Sequence, residues 1–490
     1  MSRPRTLILC ALSLLAVSPL IISTSGSGLT AQDTGPSIAS MVEARRERLA
    51  EVALEIWDYA EVGYQEVRSS ALLQSELSDA GFSVEAGVAG MPTAFVAEWG
   101  SGSPVIGILA EFDALPGITQ DAVPERAPLP EKGAGHACGH HLFGTGSAGA
   151  AMAVKEWLAA TGTPGTIRLY GTPAEEGGAG KVYMVRDGLF EDVDAVLHWH
   201  ASDHNSASPA TSLANKSAKF RFHGVSAHAA GAPDRGRSAL DGVEAMNHMV
   251  NLMREHVPME TRIHYVITSG GSAPNVIPDF AEVFYYVRNP EPDMVAELFE
   301  RVVAAAEGAA LGTGTTMEYE VIHGLYNLLP NDALQRVMWE NLNRVGGVTY
   351  TEEERKFAEL LHASLPEGSP PLSSAAAVKP YDFVRRGMGS TDVADVSWAV
   401  PTAGLRTATW VPGTASHSWQ AVAAGGMSIG SKGMIVAAET LALTAVEIFS
   451  DPSIVEAATA EHAERLGPDF VYRPLLGDRA PPLDYRRNRN

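Results

Sequence analysis

The chain has 490 residues, 45% of them hydrophobic and 19% charged, which excludes a disordered or fibrous protein and allows a sizeable core. Its 36 basic and 58 acidic side chains leave a formal net charge of −22, which argues against nucleic acid or an anionic membrane surface as partner. Roughly two to four domains are expected at this length.

Arg3 and Arg5 precede an apolar run over residues 7–22, and small residues lead to a cut after Thr30-Ala31. This is the layout of a secretory signal peptide over 1–31, implying an exported, periplasmic or extracellular protein. An uncleaved membrane anchor is the competing reading, since the run is near the lower length for a span. Without that segment Cys138 is the only thiol, so the mature chain has no intramolecular disulfide. A free cysteine is often a small buried hydrophobe. Cys138, however, stands between glycine and histidine in a polar cluster, which fits metal ligation better.

Next come helices over 37–77, broken at Tyr64-Gln65, and strands at 93–99 and 105–111. The second strand is a continuous apolar run of the kind buried in a parallel sheet. It ends in Glu111-Phe112-Asp113-Ala114-Leu115-Pro116-Gly117, acids at a strand's C-terminal end, where open α/β sheets place their sites. Gly135-His136-Ala137-Cys138-Gly139-His140-His141 follows, with one thiol and three imidazoles in seven residues. Thiolate and imidazole are the ligands that Zn²⁺ prefers, although mixed N, O and S donors also admit Mn²⁺. A small-residue helix over 144–160 leads to a strand at 166–171, which delivers Glu175 and Glu176 into a glycine-rich loop. On an extended backbone adjacent acids point apart, so one can bind metal while the other faces water. Adjacent acids by themselves are usually a solvated turn. The strand at 195–200 ends in His198-Trp199-His200, two imidazoles that share a face. His204 is expected in a solvated loop, and His417 is a lone loop histidine.

From about residue 216 the order is strand, helix, strand, strand, helix, strand: 218–225, 237–256, 262–269, 281–288, 292–311 and a last strand. That is a ferredoxin-like unit, small enough to be an inserted domain. Helical texture resumes at 331–345, residues 363–380 form a surface loop, and 391–448 return to the character of the first half. The expected organisation is a leader (1–31), a catalytic domain in two parts (32–215 and 329–455), an insert (216–328) and a C-terminal extension (456–490).

Several segments carry a family resemblance: the Gly135–His140 cluster, Gly171-Thr172-Pro173-Ala174-Glu175-Glu176-Gly177-Gly178, Ser226-Ala227-His228-Ala229-Ala230, Ala273-Pro274-Asn275-Val276-Ile277-Pro278 and Gly389-Ser390-Thr391-Asp392-Val393. In this order, across residues 40–450, they resemble the metal-dependent aminoacylase/carboxypeptidase superfamily of amidohydrolases, and within it the aminobenzoyl-glutamate utilization protein B branch. The resemblance implies an α/β fold, with a mixed-sheet zinc-peptidase-like catalytic domain and an inserted ferredoxin-like lid and dimerisation domain. It implies Cys138, His140, Glu176, His200 and His417 as ligands of a divalent metal, two ions per subunit. Glu175 would be the general base that takes a proton from metal-activated water, and Asp113 the acid that orients a metal-binding imidazole. His228 would cross to the partner subunit's site, and Asn275 and Arg288 would contact the substrate carboxylate. Arg288 also fits a strand-end surface charge.

The implied reaction is hydrolysis of the linear amide of a small N-acyl amino acid resembling p-aminobenzoyl-glutamate, by a homodimer or with a hetero-partner subunit. After leader cleavage no membrane partner is expected. Three alternatives stand beside it: a dipeptidase or other deacylase, a Cys138 thiol nucleophile, which leaves Glu175-Glu176 unexplained, and a non-catalytic partner subunit or exported binding protein. The chain departs from its relatives at His141, where they carry Asp or Asn, and at Glu111, where other superfamily members have histidine. The leader is also unexpected for a branch associated with the cytoplasm.

Overall fold

The computed structural model describes residues 37–486, so the expected leader at 1–31 lies outside the described residues. Strands β1 (Ser83–Ala86) and β2 (Phe95–Ser101) lead into β3 (Val105–Ala110), the apolar run, buried from Ile106 onward. A short ribbon pairs β4 (Leu115–Pro116) with β5 (Ala134–Gly135), and β6 (Gly165–Gly171) and β7 (Ala195–Ser202) follow. Then come β8 (Ala214–His223), β9 (Arg262–Ser269), β10 (Phe280–Asn289), β11 (Thr316–Leu325) and β12 (Thr402–Ala408).

Six strands form one sheet in the order β1-β2-β6-β3-β7-β12. β6, β3, β7 and β12 are parallel, while β2 runs against β6 and β1 against β2, so the sheet is mixed as expected. Parallel strands need both faces covered. The helices His140–Thr161 and Ser428–Ser450 supply part of that cover. The second is apolar and long enough to cross a membrane, but Ile429, Met434, Leu441 and Ile448 are buried inside the protein, which accounts for its hydrophobicity.

The other four long strands make an antiparallel sheet in the order β11-β8-β10-β9. Helices Ala239–Met253 and Pro292–Thr313 pack on it around a separate core of Phe220, Phe222, Tyr285, Leu298 and Phe299. The βαββαβ order is the one read from the sequence. Alternate residues of β10 are buried, the pattern of a sheet with one covered face.

Three local differences have physical causes. β1 was not anticipated, because four mostly exposed residues give no apolar signal. The helix expected from 144 begins at His140, because Gly139 adopts a left-handed φ of 80° and turns the chain directly into it. Thr351-Glu352-Glu353-Glu354 opens an additional helix, Glu352–His362, through a reciprocal capping box. A helix, Pro452–Leu466, runs across the expected start of the C-terminal extension at 456, and the chain then continues without helix or strand to 486.

Candidate metal centre

The C-terminal ends of the four parallel strands bring the expected ligands together. β3 delivers Glu111 and Asp113, β6 leads to Glu175 and Glu176, β7 carries His200, and the loop after β12 carries His417. Cys138 and His140 enter beside them from the turn before the helix. A side chain on Gly139 would collide with Ala201, which explains the glycine. Ala174 and His417 hold left-handed backbones at φ 59° and 60°, a strain that surrounding structure must offset.

Three sets of donors lie with their ligand atoms within 4.8 Å of one another: Cys138, His140 and His200; Cys138, Glu176 and His417; and Glu111, His140 and Glu175. The first two share Cys138 and contain all five expected ligands. Each imidazole in the first set is oriented through its other nitrogen, as metal-binding histidines are. His140 Nδ1 lies 2.8 Å from Asp113 Oδ1, and its buried Nε2 faces Glu111 Oε2 at 3.1 Å. His200 Nδ1 lies 2.8 Å from the Ala201 carbonyl oxygen, and its Nε2 faces Cys138 Sγ at 3.4 Å. His417 Nε2 is 3.2 Å from Glu176 Oε1. Asp113 Oδ2 accepts from the Glu176 N–H at 2.9 Å, so one carboxylate fixes both an imidazole and the acidic loop.

The field at the centre favours a cation. Burial opposes charge on His140, but Cys138, Glu111 and Asp113 outweigh it and hold the imidazole well above its ordinary range. Hydrogen bonds to Cys138 and Glu176 raise His417 to about 10. Burial, then the charges of Glu111, Glu176 and Asp392, push Glu175 well up. Soft and hard donors, converging imidazoles and crowded buried acids together fit a divalent metal ion.

The remaining histidines of the cluster are structural. His136 Nε2 bonds the Ile56 carbonyl and His141 Nε2 that of Gly425, both at 3.0 Å, and burial lowers His141 to about 3. Contrary to the solvated-loop expectation, His204 is half-buried and lines the cavity at the centre, because Asp203 holds it there at 2.6 Å. Sequence reasoning also missed Lys181. It is fully buried between Glu111 (2.8 Å) and Asp392 (2.7 Å), and a lone lysine on a short helix gives no signal of such a role.

The βαββαβ unit does not bring its expected residues to the cavity of the same chain. His228 and Asn275 are neighbours on the surface, joined by the His228–Val276 bridge and the Ala229 N–H to Asn275 carbonyl bond. Arg288 is half-buried over the Tyr286 ring, and its buried Nε has no partner.

Residues 485 and 486 reach the acidic loop of the centre. The Tyr485 hydroxyl and Arg486 Nη2 donate to the Glu176 carbonyl at 2.9 and 2.6 Å, and Tyr64 donates to that of Gly178 at 2.7 Å.

Comparison with known proteins identifies the family and the fold. Residues 107–420 match the model of peptidase family M20/M25/M40. The chain belongs to that family. It is 40% identical over 453 residues to a p-aminobenzoyl-glutamate hydrolase chain of Escherichia coli (strain K12), covering 87% of this chain and 94% of that one. It is 29% identical over 439 residues to the Xaa-Arg dipeptidase of Mus musculus, covering 86% and 90%. An aminobenzoyl-glutamate utilization protein from Klebsiella pneumoniae shares the fold with a TM-score of 0.60 at 18% identity, covering 84% of this chain and 98% of that one. A dinuclear metal-binding M20 peptidase from Bacillus subtilis does so at 0.57 and 19%, covering 83% and 99%. The protein is a family M20 hydrolase that acts on amide bonds.

Proposed function

We propose that the protein hydrolyses the amide of an N-acyl amino acid of the p-aminobenzoyl-glutamate kind, with Glu175 as general base. The observation that carries this is the position of Glu175 in the cavity, with its carboxylate among the donors of Glu111 and His140. Cys138, His140, Glu176, His200 and His417 would hold two divalent ions, Zn²⁺ or Mn²⁺. Such ions polarise a carbonyl and lower the pKa of water. Glu175 takes the proton from the attacking water and returns it to the leaving amine. Asp113 keeps His140 in one tautomer and holds the Glu176 backbone. The burial and acidic neighbours that raise Glu175 suit a base that must later act as an acid.

Exposure of His228 and Asn275 away from their own cavity supports a homodimer in which the βαββαβ unit offers these residues, with Arg288, to the substrate carboxylate at the partner's site. The basic start, apolar run and small residues of 1–31 support export. Cell fractionation with amino-terminal sequencing of the mature chain tests that part.

The test of the main reading is hydrolysis of p-aminobenzoyl-glutamate against a panel of N-acyl amino acids and dipeptides, on metal-replete and chelated protein. Chelator-sensitive cleavage of p-aminobenzoyl-glutamate is expected. Preference for another panel member would replace the substrate and keep the centre. Turnover that survives metal removal but not thiol alkylation would instead make Cys138 a nucleophile.

A further inference from the structure

The metal centre opens into a cavity of 420 Å³, walled on one side by β12 and by residues 204–212 and 384–391. Much of the polar lining is satisfied within the chain. Thr211 Oγ1 donates to the Leu328 carbonyl and Ser212 Oγ accepts from the Leu328 N–H, both at 2.8 Å. The Gln335 amide bonds both backbone groups of Gly404. Three groups on this wall are not satisfied. Ser390 Oγ and His204 Nε2 are buried atoms without a hydrogen-bond partner. The Arg406 guanidinium has neither a hydrogen bond nor an ion pair among the described residues, yet its side chain opens into the cavity.

Arg406 sits beside the centre by strand register. On the parallel pair β7–β12 it lies opposite His200, and Gly404 lies opposite His198, so these side chains rise from one face of the sheet. The Arg406 side chain is exposed to solvent in the cavity, and Cys138, Asp203 and Glu111 attract it from a distance. Both of these acids are already engaged. Glu111 is paired with Lys181, and Asp203 holds His204 and the Gly413 N–H. A guanidinium that lines the cavity without an ion-pair partner is free to receive a ligand, and its planar fork matches a carboxylate.

We propose that Arg406 is a specificity-determining residue that receives a carboxylate of the substrate other than the α-carboxylate, with His204 Nε2 and Ser390 Oγ beside it. This deepens the amide-hydrolase reading and rests on it. It defines the substrates as amides that carry a second acidic group, on either the amine side or the acyl side. The same charge disfavours a cationic side chain at that position.

The experiment uses the full metal-loaded chain and matched pairs of substrates: an N-acyl-glutamate with its glutamine counterpart, and a succinyl amide with its succinamoyl counterpart. Wild type should prefer the acidic member of one pair by about ten- to hundredfold in kcat/KM, mainly through KM. That pair identifies the side that carries the carboxylate. In Arg406→Met the preference should fall to within about threefold, and Arg406→Lys should restore part of it. A merely structural role for Arg406 would lower both members alike and leave the ratio unchanged. That result, or no preference in wild type, overturns the proposal. If wild type turns over no amide, the hydrolase reading fails, and calorimetric binding of glutarate then decides the subsite. Binding at least about tenfold weaker in Arg406→Met upholds it, and equal binding overturns it.

Discussion

The parallel end of the six-stranded sheet and the βαββαβ unit hold their expected functional residues in opposite physical states. At the sheet, Asp113, His140, His200 and Glu176 are enclosed, and each is fixed by a neighbour in the same chain. On the βαββαβ unit, His228 and Asn275 stand at the surface, held only by their own turn and by backbone bonds between their two segments. Buried polar groups must be satisfied, so the first set shows its purpose in its partners. Exposed groups carry no such obligation, and their purpose depends on what comes to meet them.

The strongest way to break this contrast is at Glu175. Glu175→Gln should reduce kcat about a thousandfold while elemental analysis finds the metal content unchanged. Loss of metal along with activity would make Glu175 a ligand rather than the base. Next is Lys181, whose removal leaves Glu111 and Asp392 as adjacent buried acids. Lys181→Met should cost about 3–5 kcal/mol in urea unfolding. A change below about 1 kcal/mol would mean that water reaches these acids.

The exposed region is tested by complementation. His228→Ala should slow turnover about 10- to 100-fold. Mixing it with Glu175→Gln should restore activity, because a hybrid dimer holds one complete set. Failure to recover would confine His228 to a role within its own chain.

The smallest effect concerns Glu66, which accepts from the Ala174 N–H at 2.8 Å at the base of the acidic loop. Burial first, then Asp113, raises it from 4.5 to about 8. The folded chain therefore binds this proton more tightly than the unfolded chain. The stability it adds is complete below the unfolded value of 4.5 and is lost as pH rises through 8. Glu66→Gln should flatten that decline by about 1–3 kcal/mol between mildly acidic and alkaline conditions, read by urea unfolding.

The convergence of the candidate ligands was legible because thiol, imidazole and paired acids crowd into short stretches that β-strands then aim at one point. The βαββαβ order was legible from alternating texture, whereas the Glu352–His362 helix went unread although a Thr351 capping box opens it. Lys181 and Arg406 were not legible. A buried cation is recognisable only by its counter-charges, and Glu111 and Asp392 come from positions far apart in the chain. Glu111 itself was noticed as a departure, but its place beside His140 and Glu175 depends on how β3 and the loop after β6 meet. The early start of the helix at His140 depends on one left-handed glycine, a dihedral that composition does not report.

Tyr485 and Arg486 hold the carbonyl of Glu176, and Gln65 Nε2 holds that of Leu483 at 2.8 Å. The acidic loop near the middle of the chain is therefore completed by residues 309 and 310 positions further along it. During synthesis the histidines, the cysteine and both glutamates emerge well before the braces that steady them.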